Sequence, residues 1–200
     1  MVTELCDLDL KQYIENSKEM NPFEINSIMF QILNGLSFMH GKDIIHGDIR
    51  PSNILKKGDT IKLADFGFSF KKDESIPNMH TYVCSLPYRP LEVFKHENYS
   101  FPADIWSVGC VFAELVNKKM LFPFIEYTNA TIVSKINEVF KINVPGVQPL
   151  QTVPAELFEK LSDAGIDLIQ KLMQMNPQER IKAMDALEHP YFSNKKKKIK

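Results

Sequence analysis

The 200-residue chain has almost no net charge, since 24 lysines and arginines stand against 25 aspartates and glutamates. That balance excludes the global basic field that would by itself draw a protein to nucleic acid. Cysteine is scarce: Cys6, Cys84 and Cys110 are odd in number and far apart, which fits neither a disulfide framework nor a zinc-ligand spacing. A reducing intracellular compartment follows from that usage. The opening MVTELCDLDL carries three acids and no basic n-region, so it does not read as a secretory signal. The longest apolar run, around Ser107 to Val116, is too short to span a bilayer, and no membrane partner is expected. Glycine (8) and proline (12) are too few for a disordered chain.

What is present is the material of one folded domain. Hydrophobic residues make up 44% and charged residues 24% of a chain long enough for one sizeable core and too short for two ordinary ones. Asn21-Pro22 reads as an N-cap with a proline at the first helical position, followed by Ile25, Met29, Ile32, Leu33, Leu36 and Met39 at three- and four-residue steps. From Ile44 to Leu63 the pattern changes to short apolar pairs, Ile44-Ile45, Ile54-Leu55 and Ile61-Lys62-Leu63, broken by turns such as Lys57-Gly58-Asp59. A loop-like stretch runs from about Lys71 to Tyr88. Helical patterns then cover 104–117, 129–140, 163–175 and 183–188. The fold class expected is mainly α, with a few short strands around one loop. Residues 193–200, with Lys195 to Lys198 and Lys200, read as a solvated basic tail.

That loop is His46-Gly47-Asp48-Ile49-Arg50-Pro51-Ser52-Asn53, and Asp65-Phe66-Gly67 follows the third strand. Phosphoryl transfer needs a carboxylate to orient the attacking hydroxyl, oxygen ligands for magnesium, and a cation near the moving phosphate. Asp48, Asn53, Asp65 and Arg50 make up that set. Order and spacing resemble the H-R-D-L-K-P-x-x-N loop and D-F-G of protein kinases. The resemblance implies a kinase C-terminal lobe over residues 1–192, with ATP and Mg2+ as cofactors. In it Asp48 accepts the substrate hydroxyl proton, Asn53 and Asp65 ligate magnesium, and Arg50 stands where serine/threonine kinases usually have lysine. It keeps the charge without the compact ammonium.

Further segments extend the likeness. Tyr88-Arg89-Pro90-Leu91-Glu92 resembles Y-R-A-P-E, with Ala-Pro changed to Pro-Leu, and Asp104-Ile105-Trp106-Ser107-Val108-Gly109 resembles the start of the central helix. By that match Asp104 accepts hydrogen bonds from the catalytic-loop backbone, and Arg180 of Asn176-Pro177-Gln178-Glu179-Arg180 pairs with Glu92 as a structural element. Val2 to Lys11 resembles the hinge of cyclin-dependent kinases, which implies Thr3 as gatekeeper, Glu4 and Cys6 with their backbones toward adenine, Asp9 near the ribose and Leu55 beneath the base. An alternating edge strand would explain the same residues.

Leu63-Ala64-Asp65-Phe66-Gly67, Leu121-Phe122-Pro123 and Val144-Pro145-Gly146-Val147 resemble the same proline-directed branch. It implies serine/threonine protein substrates, with Ser85 touching the catalytic aspartate and Arg89 linked to a proline preference. A cyclin is a partner this branch allows, and nucleus or cytoplasm the location.

Departures from the family carry their own expectations. No G-x-G-x-x-G or V-A-I-K pattern occurs in the sequence, so the ATP-gripping lobe is expected to be absent and Met1 to sit at the lobe boundary. A pseudokinase or binding module remains the alternative. Gly47 replaces the arginine before the catalytic aspartate, Phe70 replaces one after D-F-G, and His80, beside Thr81, occupies the usual phosphothreonine position. No activation by phosphorylation at that site is expected.

Overall fold

The computed structural model of the chain describes residues 4–72, 84–95, 99–122 and 159–193. Thr3, His80, Thr81, Pro123, the 129–140 pattern, Val144 to Val147 and the lysine tail lie outside the described residues.

Helices begin where the sequence offers caps. Helix α1 (Leu10–Asn16) starts at Asp9, whose carboxylate accepts the Gln12 amide at 2.8 Å while the Gln12 side chain accepts the Asp9 amide at 3.3 Å. This capping box satisfies two amide groups at the helix start. Helix α2 (Pro22–His40) starts at Asn21, whose side chain accepts the Phe23 amide at 2.9 Å. Its apolar stripe is buried from Ile25 to Met39. Each fully buried aliphatic side chain is worth about 1.5–3 kcal/mol, so this stripe anchors the helix whose last residue, His40, enters the site.

After α2 come the short α3 (Leu91–Phe94) and the long α4 (Phe101–Asn117), then α5 (Asp163–Leu172) and α6 (Ala183–Leu187). Every residue of α4 from Ala103 to Val116 is buried. A helix buried all round must be enclosed by its neighbours, and α2 and α5 both pack on it while α6 packs on α2. A Cβ on Gly109 would lie 2.3 Å from Met173 Cγ, so glycine lets Met173, just past α5, rest against α4.

The strands are short. β1 (Leu8–Asp9), β3 (Ile54–Lys57) and β4 (Thr60–Leu63) form an antiparallel sheet in the order β1-β3-β4, with Asp9 opposite Leu55 and Ile54 opposite Leu63. The turn at Gly58 has φ 54°, and Gln31 of α2 clamps the hairpin by bonding Asp59 O at 3.0 Å and the Ile61 amide at 2.9 Å. β2 (Ile44–Ile45) pairs with β5 (Phe70–Lys71), so one end of the stretch read as a loop is strand and the other, Leu86–Tyr88, is a 3-10 turn.

Three further boundaries differ from the sequence pattern. α4 begins at Phe101 rather than 104, because Pro102 is accepted in the first turn where no amide donor is required. α5 ends at Leu172 and α6 at Leu187. In the hinge-like opening, strand pairing covers only Leu8 and Asp9 before the capping box turns the chain into α1.

Candidate active site

The loop between β2 and β3 is held from beneath by α4. Asp104, fully buried, accepts the His46 amide at 2.9 Å and the Gly47 amide at 3.1 Å, and its Oδ2 lies 3.0 Å from His40 Nε2. A carboxylate taking two backbone N–H groups fixes the loop more firmly than a neutral acceptor. His46 continues the fixation. Its Nε2 lies 3.0 Å from Ala64 O and its Nδ1 accepts the Asp48 amide at 3.3 Å, which assigns the neutral Nε2–H tautomer. Desolvation holds its pKa below the ordinary value, against the opposing pull of Asp104.

Asp48 is the centre of the site and is 5% exposed. Its Oδ1 accepts from the Ser85 amide at 3.0 Å and from the Ser85 hydroxyl at 2.8 Å. Its Oδ2 accepts from Asn53 Nδ2 at 2.8 Å and lies 3.4 Å from Arg50 Nε. The Arg50 contact is an ion pair without a hydrogen bond, for the buried Nε makes none. A carboxylate offers about four acceptor positions, so three hydrogen bonds leave about one for an incoming hydroxyl.

Asn53 Nδ2 also donates to Asp48 O at 2.9 Å. With its amide nitrogen spent on Asp48, the oxygen of Asn53 is the atom left for a cation. The Ala64 amide donates to Asn53 O at 2.9 Å and so ties the loop to the segment that ends in Asp65. Asp65 is exposed, in the left-handed region at φ 59°, and its side chain accepts the Gly67 amide at 3.4 Å. Among the described residues no group of three His, Cys, Asp or Glu side chains could hold a metal. Asn53 and Asp65 each offer oxygen, the donor type that magnesium takes alongside water and phosphate oxygens, and neither offers the nitrogen or sulfur that zinc favours.

Gly47, Asp65 and Cys84 all have positive φ, at 83°, 59° and 56°. Such residues gather where surrounding structure over-determines the backbone, as it does at functional sites. Gly47 O accepts the Cys84 amide at 2.7 Å, and a Cβ on Gly47 would lie 2.4 Å from Phe68 O. Phe70 is buried with Ile45, Val93 and Ala103. Where the family places two cations, this chain therefore has a bare backbone approach and an apolar cluster.

The remaining positions are spread along the β1 edge. Glu4 is exposed and its carboxylate pairs with Lys57 at 2.8 Å and Lys62 at 2.5 Å, which hold its pKa down at about 2. Cys6 is a free, partly exposed thiol. β pairing sets the Asp9 backbone beside Leu55, while one Asp9 oxygen is committed to capping α1. Arg89 is buried, donates from Nε to Cys84 O at 2.9 Å and lies over the Phe94 ring. Arg180 and Glu92 form a two-pronged buried pair at 2.6 and 3.2 Å.

Sequence reasoning missed His40, the bridging role of His46, which accepts at Nδ1 and donates at Nε2, and the Tyr88–Glu114 pair. Tyr88 OH donates to Glu114 Oε2 at 2.7 Å inside the core, and desolvation raises the pKa of both groups. The signal that could have found Glu114 is a lone carboxylate inside the apolar run Val108 to Val116, since a carboxylate deep in an apolar helix needs a partner.

A family model described as protein kinase domain matches residues 1–192. With the loop, the buried Asp104 anchor and the Glu92–Arg180 pair all in place, this chain belongs to the protein kinase domain family.

Proposed function

We propose that the chain is a cyclin-dependent-kinase-like serine/threonine protein kinase, acting in cell-cycle or transcription control. Residues 1–192 would form its helical C-terminal lobe and 193–200 its basic tail. The observation that carries the reading is the Asp48 carboxylate, buried and oriented by Ser85 and Asn53 with about one acceptor position left.

Asp48 would take a hydrogen bond from the substrate Ser or Thr hydroxyl, align it for attack, and accept its proton as the new bond forms. MgATP supplies the phosphoryl group and neutralises charge as it moves. Asn53 and Asp65 would hold the magnesium through oxygen, and Arg50 would present positive charge beside Asp48. Glu4 and Cys6 through their backbones, Asp9 through its uncommitted oxygen and Leu55 through its side chain would receive the nucleotide. Arg89 and the branch likeness support a proline after the target residue. Cyclin is a candidate partner through the branch likeness alone.

Gly47, Arg50 and Pro90-Leu91 favour a second reading, a pseudokinase that engages partners without catalysis. Calorimetric titration of MgATP separates the two, on this chain and on the chain fused to a kinase N-terminal lobe. Binding and transfer to a Ser/Thr protein substrate in the fused protein, both lost in Asp65→Asn, are expected for the enzyme. No binding in the fused protein sinks the enzyme reading and leaves the pseudokinase.

A further inference from the structure

Beside Asp48 lies a cleft of about 320 Å³ whose lining includes Lys11 from α1, Arg50 and Ser52 from the catalytic loop, Ser85, and the apolar walls Pro87 and Met120. Its lining includes two cations and three hydroxyl residues, Ser52, Ser85 and Tyr88, and among the described residues no carboxylate. Each cation has an acid within ion-pair range, but among the described residues neither pair is closed by a hydrogen bond. Lys11 pairs with Glu15 at 3.9 Å across an exposed helix turn, which is the weak class of ion pair, and its charge also acts on Glu114. Arg50 is ion-paired with Asp48 through Nε, at 3.4 Å and without a hydrogen bond, while its side chain stays 39% exposed. The exposed part of such a side chain can still meet a second anion, and a guanidinium matches carboxylate and phosphate in two-pronged geometry.

We propose that this cleft selects peptide substrates carrying an anionic side chain, a carboxylate or a phosphate, next to the Ser or Thr presented to Asp48. The selection rests on the kinase reading for its purpose but not for its physics, because the cations attract the anion whether or not transfer follows. Basic-flanked peptides are disfavoured by the same pair. Lys11 is the specificity-determining residue of the two, because it stands on α1 away from the reacting atoms, whereas Arg50 also belongs to the phosphate-transfer set.

The test is fluorescence anisotropy of the 200-residue chain with four labelled Ser-centred peptides, flanked by glutamate, phosphoserine, glutamine or lysine, at low salt. Glutamate and phosphoserine peptides are expected to bind about tenfold tighter than the lysine peptide, with the gap narrowing as salt screens it. Lys11→Glu should remove or invert that ratio while leaving affinity for the glutamine peptide unchanged, and Lys11→Gln should halve the effect on a logarithmic scale. Preference for phosphoserine alone supports the proposal with phosphate as the ligand. Equal affinity for glutamate and lysine peptides, a ratio untouched by either Lys11 variant, or no peptide binding at all overturns it. The kinase reading fails separately, by absence of MgATP-dependent transfer in the fused protein while the binding ratio stands.

Discussion

Replacing Glu92 with alanine should cost this protein a large part of its stability, and the structure says how much. Arg180 has a fully buried side chain and Glu92 is nearly so. Besides the two bonds to Glu92, the guanidinium donates to Pro102 O at 2.7 Å and to Gln174 O at 2.9 Å, and lies 5.1 Å from the Trp106 ring. Glu92→Ala leaves a buried charge with two neutral carbonyls and no counter-ion. Removing one partner of a buried pair costs about 3–5 kcal/mol, against a total stability of about 5–15 kcal/mol for a typical domain. Taking a urea slope near 2.5 kcal/mol/M, the denaturation midpoint should fall by roughly 1.5 M. Arg180→Met should cost a similar amount, and the double variant less than the sum, because neither charge is then stranded. A Glu92→Ala midpoint within about 0.4 M of the parent, or strict additivity in the double variant, would refute the argument.

Four more perturbations can be ranked. Gly47→Arg, which restores the family residue, should destabilise by roughly 2–4 kcal/mol, since a side chain at positive φ costs about 1–2 kcal/mol and its Cβ would strike Phe68 O. Thermal melts check it, and a change under 0.5 kcal/mol would count against it. His46, with its pKa held below the usual 6.5 by burial, binds fewer protons folded than unfolded, so stability should decline as pH falls below about 6.5. The pH slope of the urea midpoint should be shallower in His46→Gln, and an identical slope would exclude His46 as the source.

Glu114 has the opposite sign. Its pKa is raised above 4.5 by desolvation, so the folded state holds the proton more tightly and stability is greatest below that pH and declines as pH rises through the folded value. Glu114→Gln keeps an acceptor for Tyr88 OH, should flatten that decline, and should stay within about 1 kcal/mol of the parent at neutral pH. Finally, Thr81→Ala in the N-lobe-fused protein should leave transfer unchanged, because Gly47 and buried Phe70 offer a phosphate no cation; loss of activity in that variant would show the site to be regulatory after all.

The candidate site was legible in the sequence because the residue types that the proposed phosphoryl transfer would need stand at short range. Asp48, Arg50 and Asn53 lie within six residues, and a single loop conformation brings them together. The α2 stripe was legible for a similar reason, since a 3.6-residue period leaves a mark over many residues. Boundaries were less legible. Pro102 extended α4 backwards, and the Asp9–Gln12 box ended the first strand after two residues.

Joins between distant segments were expected through family resemblance alone, and the tertiary structure shows how they are made. Asp104 meets the catalytic loop from 57 and 58 residues away, and Ser85 meets Asp48 from 37. Neither contact follows from periodicity. Each exists because a buried carboxylate must find donors, and the only donors within reach are those the folded chain presents. Packing likewise left Arg50 Nε without a hydrogen bond and set Arg50 and Lys11 on one cleft, whose charge became visible only once the helices had assembled. Sequence set which atoms could carry the proposed reaction, and packing set which of them keep a hydrogen-bonding position open.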